Sequence, residues 1–151
     1  MGVDQLRSFL RRNRRVAVDT NIFIYHLEGN SRYLPLTDAI FAALERQSLT
    51  AITSTITMTE LLVPAYRTKD EERVDEFYVL LSRYPNLEWI APTLEIADLA
   101  AELRALHRLR TPDALQAATA VREGATGFIT NDPVFTRVTN FETLVLDRVL
   151  P

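Results

Sequence analysis

The 151-residue chain has no cysteine, which excludes a disulfide framework and any thiolate-bound metal. Lysine is nearly missing as well: Lys69 is the only one, and the remaining positive charge is arginine. A net charge of −3 removes the global basic field that would advertise nucleic-acid binding. No apolar run approaches the ~18 residues of a membrane span. Residues 1–15 carry basic side chains without the apolar segment of a secretory signal. These absences predict a soluble, cytoplasmic protein with no membrane partner. Repeats, linkers and low-complexity segments are also lacking, so 1–151 reads as a single domain. At 47% hydrophobic residues, it is long enough to bury roughly two-thirds of the surface its unfolded chain exposes.

What is present alternates between two patterns. Leu6, Phe9 and Leu10 recur at helical spacing, and Arg7, Arg11, Arg12, Arg14 and Arg15 cluster around them. That cluster reads as a solvated helix face leading into the amino end of the first strand. Residues 16–18 predict that strand, and 22–27 a helix that Gly29-Asn30-Ser31 breaks. A second helix is expected over 37–47, with Ile40, Phe41 and Leu44 on one face. The short β-branched stretch 49–55 predicts strand two. Thr57 and Glu60 match a capping box opening the next helix; Pro64 fits only its first turns or a kink.

Residues 70–83 predict a charged amphipathic helix with Val74, Phe77, Tyr78 and Leu81 on its apolar face. Residues 87–90 give a third strand. Thr93 caps a helix carrying Ile96, Ala97, Ala100 and Leu103. Thr111-Pro112-Asp113 opens another, proline being favoured at the first helical position; Ala114, Ala117, Ala118 and Val121 form its inner face and Gly124 its stop. Strands over 126–130 and 144–146 follow, with a turn at Asn131-Asp132-Pro133 between them. Strands alternating with helices predict an α/β domain with a mostly parallel sheet.

Four carboxylates stand out. Asp19 ends strand one, Glu60 lies early in the helix after strand two, Asp113 opens the helix before strand four, and Asp132 follows strand four. Singly, each has a local explanation: a turn residue, a capping box, an anion at a helix N-terminus, an N-cap. Together they mean more. In a parallel α/β domain the helix after a strand begins at that strand's carboxyl edge, which puts Asp19, Glu60 and Asp132 on one rim. Asp113 joins them only if its helix starts there. Two carboxylates ~4–5 Å apart repel by roughly 3–4 kcal/mol at an effective dielectric near 20. A cluster therefore raises its members' pKa values or takes up a hard divalent cation.

The ordered set Val-Asp19-Thr-Asn21, Thr-Glu60-Leu-Leu, Thr-Pro-Asp113-Ala-Leu-Gln-Ala-Ala and Phe-Ile-Thr130-Asn-Asp132 resembles a PIN-domain ribonuclease, most of all the VapC-type toxin of a toxin–antitoxin pair. The likeness runs over 16–146. It implies a three-layer α/β/α fold with a five-stranded parallel sheet in order 3-2-1-4-5, and it implies that Asp113 reaches the rim. Asp19, Glu60, Asp113 and Asp132 match the family's acidic quartet, and Asn21 and Thr130 the polar positions that brace it. The implied activity is cleavage of RNA, dependent on Mg²⁺ or Mn²⁺, leaving 5′-phosphate and 3′-hydroxyl ends. Asp19, Asp113 and Asp132 would hold the ions, with Glu60 either a further ligand or the group that orients water. Arg108 and Arg110 are candidates for contacting substrate phosphate. A small antitoxin and a second copy of the chain are the implied partners.

Competing classes are weaker. Phosphoryl transfer through an aspartyl-phosphate asks for a second nearby aspartate and a lysine at a later strand end, and Lys69 lies in a charged stretch instead. A non-catalytic module on this fold sits poorly with a complete acid set. An RNA-processing or DNA-flap nuclease differs only in substrate, and such enzymes usually carry further domains. His26 and His107 have no ligand-like spacing; Met58 and Trp89 are expected to pack. Tyr25 falls at the end of the helix after Asp19, where packing is the ordinary role and base stacking the alternative.

Overall fold

The computed structural model describes residues 2–150. Five parallel strands, β1 Arg15–Val18, β2 Thr50–Ser54, β3 Leu87–Ile90, β4 Gly127–Thr130 and β5 Glu142–Val145, form one sheet in order β3-β2-β1-β4-β5. The connecting helices are α1 Gly2–Arg12, α2 Thr20–Leu27, α3 Leu34–Glu45, α4 Thr55–Arg67, α5 Glu71–Ser82, α6 Leu94–His107, α7 Thr111–Arg122 and the short α8 Leu146–Val149. A 3-10 turn over Pro133–Arg137 links β4 to β5.

Strand side chains alternate between two apolar layers because their period is two. Val16, Val18, Ala51 and Ile129 pack toward α1 to α4, with Leu6, Phe9, Phe23, Ile40 and Leu44. Ala17, Ile52 and Phe128 face the other way, onto Ala114, Ala117 and Ala118 of α7 and Ile96 and Leu103 of α6. The alanines let α7 lie close to the sheet. Phe128 fills the remaining volume, stacking on Phe135 and Phe141 with centroids 4.4 and 5.0 Å apart. This is the three-layer α/β/α arrangement implied by the resemblance.

Several boundaries differ from the sequence reading, each for a local reason. α3 begins at Leu34, three residues before the expected start, because Pro35 supplies a first-turn position. α4 is capped by Ser54, whose hydroxyl accepts from the Ile56 amide, so the expected Thr57–Glu60 capping box does not form. Pro64 lies well inside α4 rather than in its first turns, leaving the Glu60 carbonyl without its usual intrahelical donor. Strand five is Glu142–Val145, and Leu146 opens α8 instead of ending the strand. On α5, Val74 and Leu81 are buried but Tyr78 is 55% exposed. Ala97 is exposed on α6, and Leu99 joins the packing there.

α1 is an integral part of the molecule. Leu6, Phe9 and Leu10 are buried, and Asn13 just beyond them donates to the Phe9 carbonyl and the Glu142 carboxylate. Phe9 and Asn13 press against Gly127 at the start of β4. A Cβ on that glycine would meet the Phe9 ring at 2.7 Å.

Candidate active site

β1 ends at the carboxyl rim and hands the chain to Asp19, which caps α2 by accepting from the Thr20 amide at 2.8 Å. The capping explanation is therefore true but incomplete. The second oxygen, Oδ2, accepts from the Thr130 hydroxyl at 2.7 Å and from the Asn21 amide at 3.3 Å. Asp19 is only 8% exposed. Burial pushes its pKa up from 3.8 to about 6 against those hydrogen bonds, and the negative fields of Asp113 and Glu60 push the same way.

Thr130, the last residue of β4, joins two of the acids. Its hydroxyl donates to Asp19 and accepts from the Asp132 amide at 2.9 Å. Asp132 in turn caps the 3-10 turn through the Val134 amide. Asp113 reaches the rim because α7 leads into Gly127, the amino end of β4, so its start lies one helix length away. Twelve residues of α7 span about 18 Å at 1.5 Å each. Burial raises the Asp113 pKa, opposed by the nearby Arg110 guanidinium and reinforced by Asp132. Arg110 approaches Asp113 Oδ2 at 3.4 Å.

Glu60 does no capping. Its Oε1 accepts from the Thr20 hydroxyl at 2.9 Å, and the side chain is exposed at the rim. Thr20 thus touches two acids, Asp19 through its amide and Glu60 through its hydroxyl. Beneath them lies a buried polar chain. The Gln116 amide donates to Thr57 at 2.8 Å, Thr57 shares a 2.6 Å hydrogen bond with Thr53, and Thr53 donates to the Val18 carbonyl. Gln116, Thr53 and Thr57 are all nearly inaccessible, and among the described residues no buried side-chain polar atom lacks a partner. A satisfied network of this kind fixes the local geometry. Thr20, Thr53, Thr57 and Gln116 were absent from the candidates read from sequence. The available signal was Gln116, a polar residue on the otherwise alanine-lined face of α7.

The brace extends outward through Asn21 and Asn131. Asn21 Oδ1 accepts from the Asn131 amide at 3.2 Å. The Asn131 side-chain amide donates to the hydroxyls of Tyr25 and Tyr33, whose rings stack 4.1 Å apart. Its carbonyl oxygen accepts from the Asp147 amide of α8 at 2.8 Å. Tyr25 is engaged in packing and bracing. His26 lies against Phe41 and within 3.1 Å of Thr37, and burial lowers its pKa. Arg108 ends α6 in a left-handed conformation and lines, with Leu106, His107 and Arg137, a cavity of about 330 Å³. Met58 and Trp89 pack as expected.

Electrostatically the quartet is linked pairwise: Asp19 feels Asp113 and Glu60, and Asp113 feels Asp132. Among the described residues, no three His, Asp or Glu side chains are grouped closely enough to ligate one ion. The donor set is all oxygen, and its most buried member is destabilised as an anion, which is the chemistry that suits a hard cation.

An all-parallel 3-2-1-4-5 sheet with acids gathered at its carboxyl rim defines a class of α/β proteins with an acidic centre at the strand ends. Within that class, the PIN domain model matches residues 16–140, and the chain belongs to the PIN domain family. Its fold is similar to chains solved in toxin–antitoxin assemblies. One comes from a Klebsiella pneumoniae toxin–antitoxin complex (25% identity, 87% of this chain and 97% of that one, TM-score 0.67). Another comes from VapBC2 of Rickettsia felis bound to a promoter DNA fragment (22%, 87% and 98%, 0.66). A third comes from VapBC-1 of nontypeable Haemophilus influenzae (23%, 88% and 98%, 0.64). No curated protein matches the chain. No helix among the described residues is long and apolar enough to cross a membrane.

Proposed function

We propose that the chain is a single-domain, metal-dependent endoribonuclease and the toxin of a toxin–antitoxin pair. The observation that carries this reading is Asp19: a buried carboxylate at a strand end, held by Thr130, Thr20 and Asn21, with its pKa raised to about 6 by burial and two neighbouring acids. A protein built only for stability gains nothing from that arrangement. Asp19, Asp113 and Asp132, with Glu60 beside them, would hold Mg²⁺ or Mn²⁺, some directly and others through the waters such ions retain. An ion held there would supply Lewis acidity toward phosphate and would lower the pKa of a water.

The protein's own contribution is placement. Thr130 holds the Asp19 carboxylate and the Asp132 backbone in one unit. Thr20 holds Glu60 through its hydroxyl and Asp19 through its amide, and Glu60 would be either a further ligand of the ion or the group that orients a water. Arg110 offsets the charge of Asp113 and, being largely exposed, can turn to a substrate phosphate. Arg108, beside the cavity it lines with Leu106, His107 and Arg137, would be a second phosphate contact. The toxin assignment draws support from the neighbours solved in toxin–antitoxin complexes; it carries with it a small antitoxin, homodimerisation and a cytoplasmic site of action.

The test is cleavage of structured RNA by the parent and by Asp113→Asn, with Mg²⁺ or Mn²⁺ and with chelator. Cleavage by the parent alone, abolished by chelator, is expected. Activity that survives both changes overturns the metal-dependent acidic site, and no cleavage by the parent with either ion overturns the nuclease assignment. Growth arrest on expression, relieved by a co-expressed antitoxin, tests the toxin assignment separately.

A further inference from the structure

The five N-terminal arginines divide into two groups. Arg12 pairs with Glu142, and Arg15 binds Glu88 and the Glu123 carbonyl, so these two tie the amino ends of the strands together. Arg7, Arg11 and Arg14 instead join Arg46, which ends α3, in lining an open groove of about 900 Å³ between α1 and α3. Arg14 just precedes β1 and Thr50 opens β2, which puts this end of the groove at the amino rim, and none of the four acids lines the groove. All four arginines are exposed. Arg14 and Arg46 have no ion-pair partner among the described residues, Arg11 donates to Ser8, and Arg7 stands 3.9 Å from the exposed Asp4. Among the described residues the only carboxylate in the lining is Asp38. A concentration of positive charge on a chain of net charge −3 selects an anionic ligand.

The floor narrows the choice. Between the arginines lie Leu10, Leu49 and the small side chains of Ala39, Ala42 and Ala43. Among the described residues no aromatic side chain lines the groove, so it offers no platform for stacking bases. A nucleic acid longer than the groove would also run onto the surface of an acidic protein. Small apolar residues do suit the close approach of a helix. Two turns of a helix about 10 Å across occupy about 850 Å³, the size of the space. α1 also lies outside the residues that the family model matches, 16–140.

We propose that this groove docks an acidic amphipathic helix of a partner protein, with carboxylates on Arg7, Arg11, Arg14 and Arg46 and apolar side chains on the alanine floor. The inference does not rest on the nuclease reading, because it concerns the opposite rim and is read by binding alone. The probe is a fluorescent helical peptide of about 14 residues with Glu and Leu at a 3.6-residue period. A Lys-for-Glu counterpart and single- and double-stranded RNA serve as comparisons, with anisotropy measured against the intact chain at two salt concentrations.

The acidic peptide should bind at least about tenfold more tightly than its Lys counterpart, and more weakly at high salt. Arg11→Glu/Arg14→Glu/Arg46→Glu should cost about tenfold or more. Arg14→Gln/Arg46→Gln, which adds no opposing charge, should weaken binding severalfold and serves if the triple variant does not fold. Ala42→Phe should also weaken it by filling the floor, which separates a shaped groove from a diffuse charge effect. The proposal is overturned if the peptide fails to bind or binds the arginine variants equally well. It is overturned as well if RNA binds more tightly through the same arginines, or if the groove mediates self-association that these variants abolish.

Discussion

Asp19→Asn should make the metal-free protein more stable while removing its activity. Folding disfavours the Asp19 carboxylate relative to the unfolded chain, since burial, Asp113 and Glu60 raise its pKa from 3.8 to about 6. A raised acid pKa means that stability is greatest below the unfolded value and falls as pH rises through the folded one. The gap between those values corresponds to about 3 kcal/mol at 1.36 kcal/mol per pH unit. Asparagine removes that penalty but presents an N–H₂ where Oδ2 accepted from Thr130 and Asn21, at a cost of about 1 kcal/mol. The net expectation is about 2 kcal/mol of added stability near pH 7.5. Denaturant unfolding of both proteins in chelator, at pH values from about 4.5 to about 7.5, checks it. The variant's advantage should shrink by about 2 kcal/mol toward the acid end, and Mg²⁺ should raise the stability of the parent only. Parallel pH profiles for the two proteins, or a variant less stable than the parent at neutral pH, would refute the picture of Asp19 as a strained anion.

Other predictions follow from single contacts. Thr130→Val removes the hydroxyl shared by Asp19 and the Asp132 amide; it should cost about 1–3 kcal/mol in thermal or chemical unfolding and move the acid limb of the cleavage–pH profile upward. Gln116→Leu removes the shorter of the hydrogen bonds that Thr57 accepts and should cost about 1 kcal/mol with a drop in kcat rather than a rise in KM. Gly127→Ala drives a methyl into the Phe9 ring and Asn13 and should cost about 1–3 kcal/mol by calorimetry, leaving the metal requirement of cleavage unchanged.

The alternation of β-branched stretches and helical periods placed the first four strands to within a residue, because each is short and bounded by a cap or turn residue, but began the fifth two residues late, since Glu142 and Thr143 give β5 a polar start. Helix starts were less legible. Ser54 outcompeted Thr57 for the α4 cap because a cap is decided by which residue leaves the strand in an extended conformation, and Thr57 was needed in the polar chain under the acids. The acids Asp19, Glu60, Asp113 and Asp132 were visible as residues at strand ends and helix starts. Their supports were not, since Thr20, Thr53 and Gln116 meet across three separate elements. The arginine groove was hidden for a related reason: Arg12 and Arg15 look identical in sequence to Arg11 and Arg14, and only the positions of Glu142 and Glu88 separate staples from arginines with no ion pair among the described residues.

The contact between Asn131 and α8 has an engineering consequence. The Asp147 amide is secured by the same asparagine whose backbone amide binds Asn21 next to Asp19. Trimming the chain back past residue 145 to tidy an expression clone would therefore unlatch the loop that carries Asp132. A reporter or purification handle belongs after the last turn of α8, where lengthening the tail leaves that latch closed.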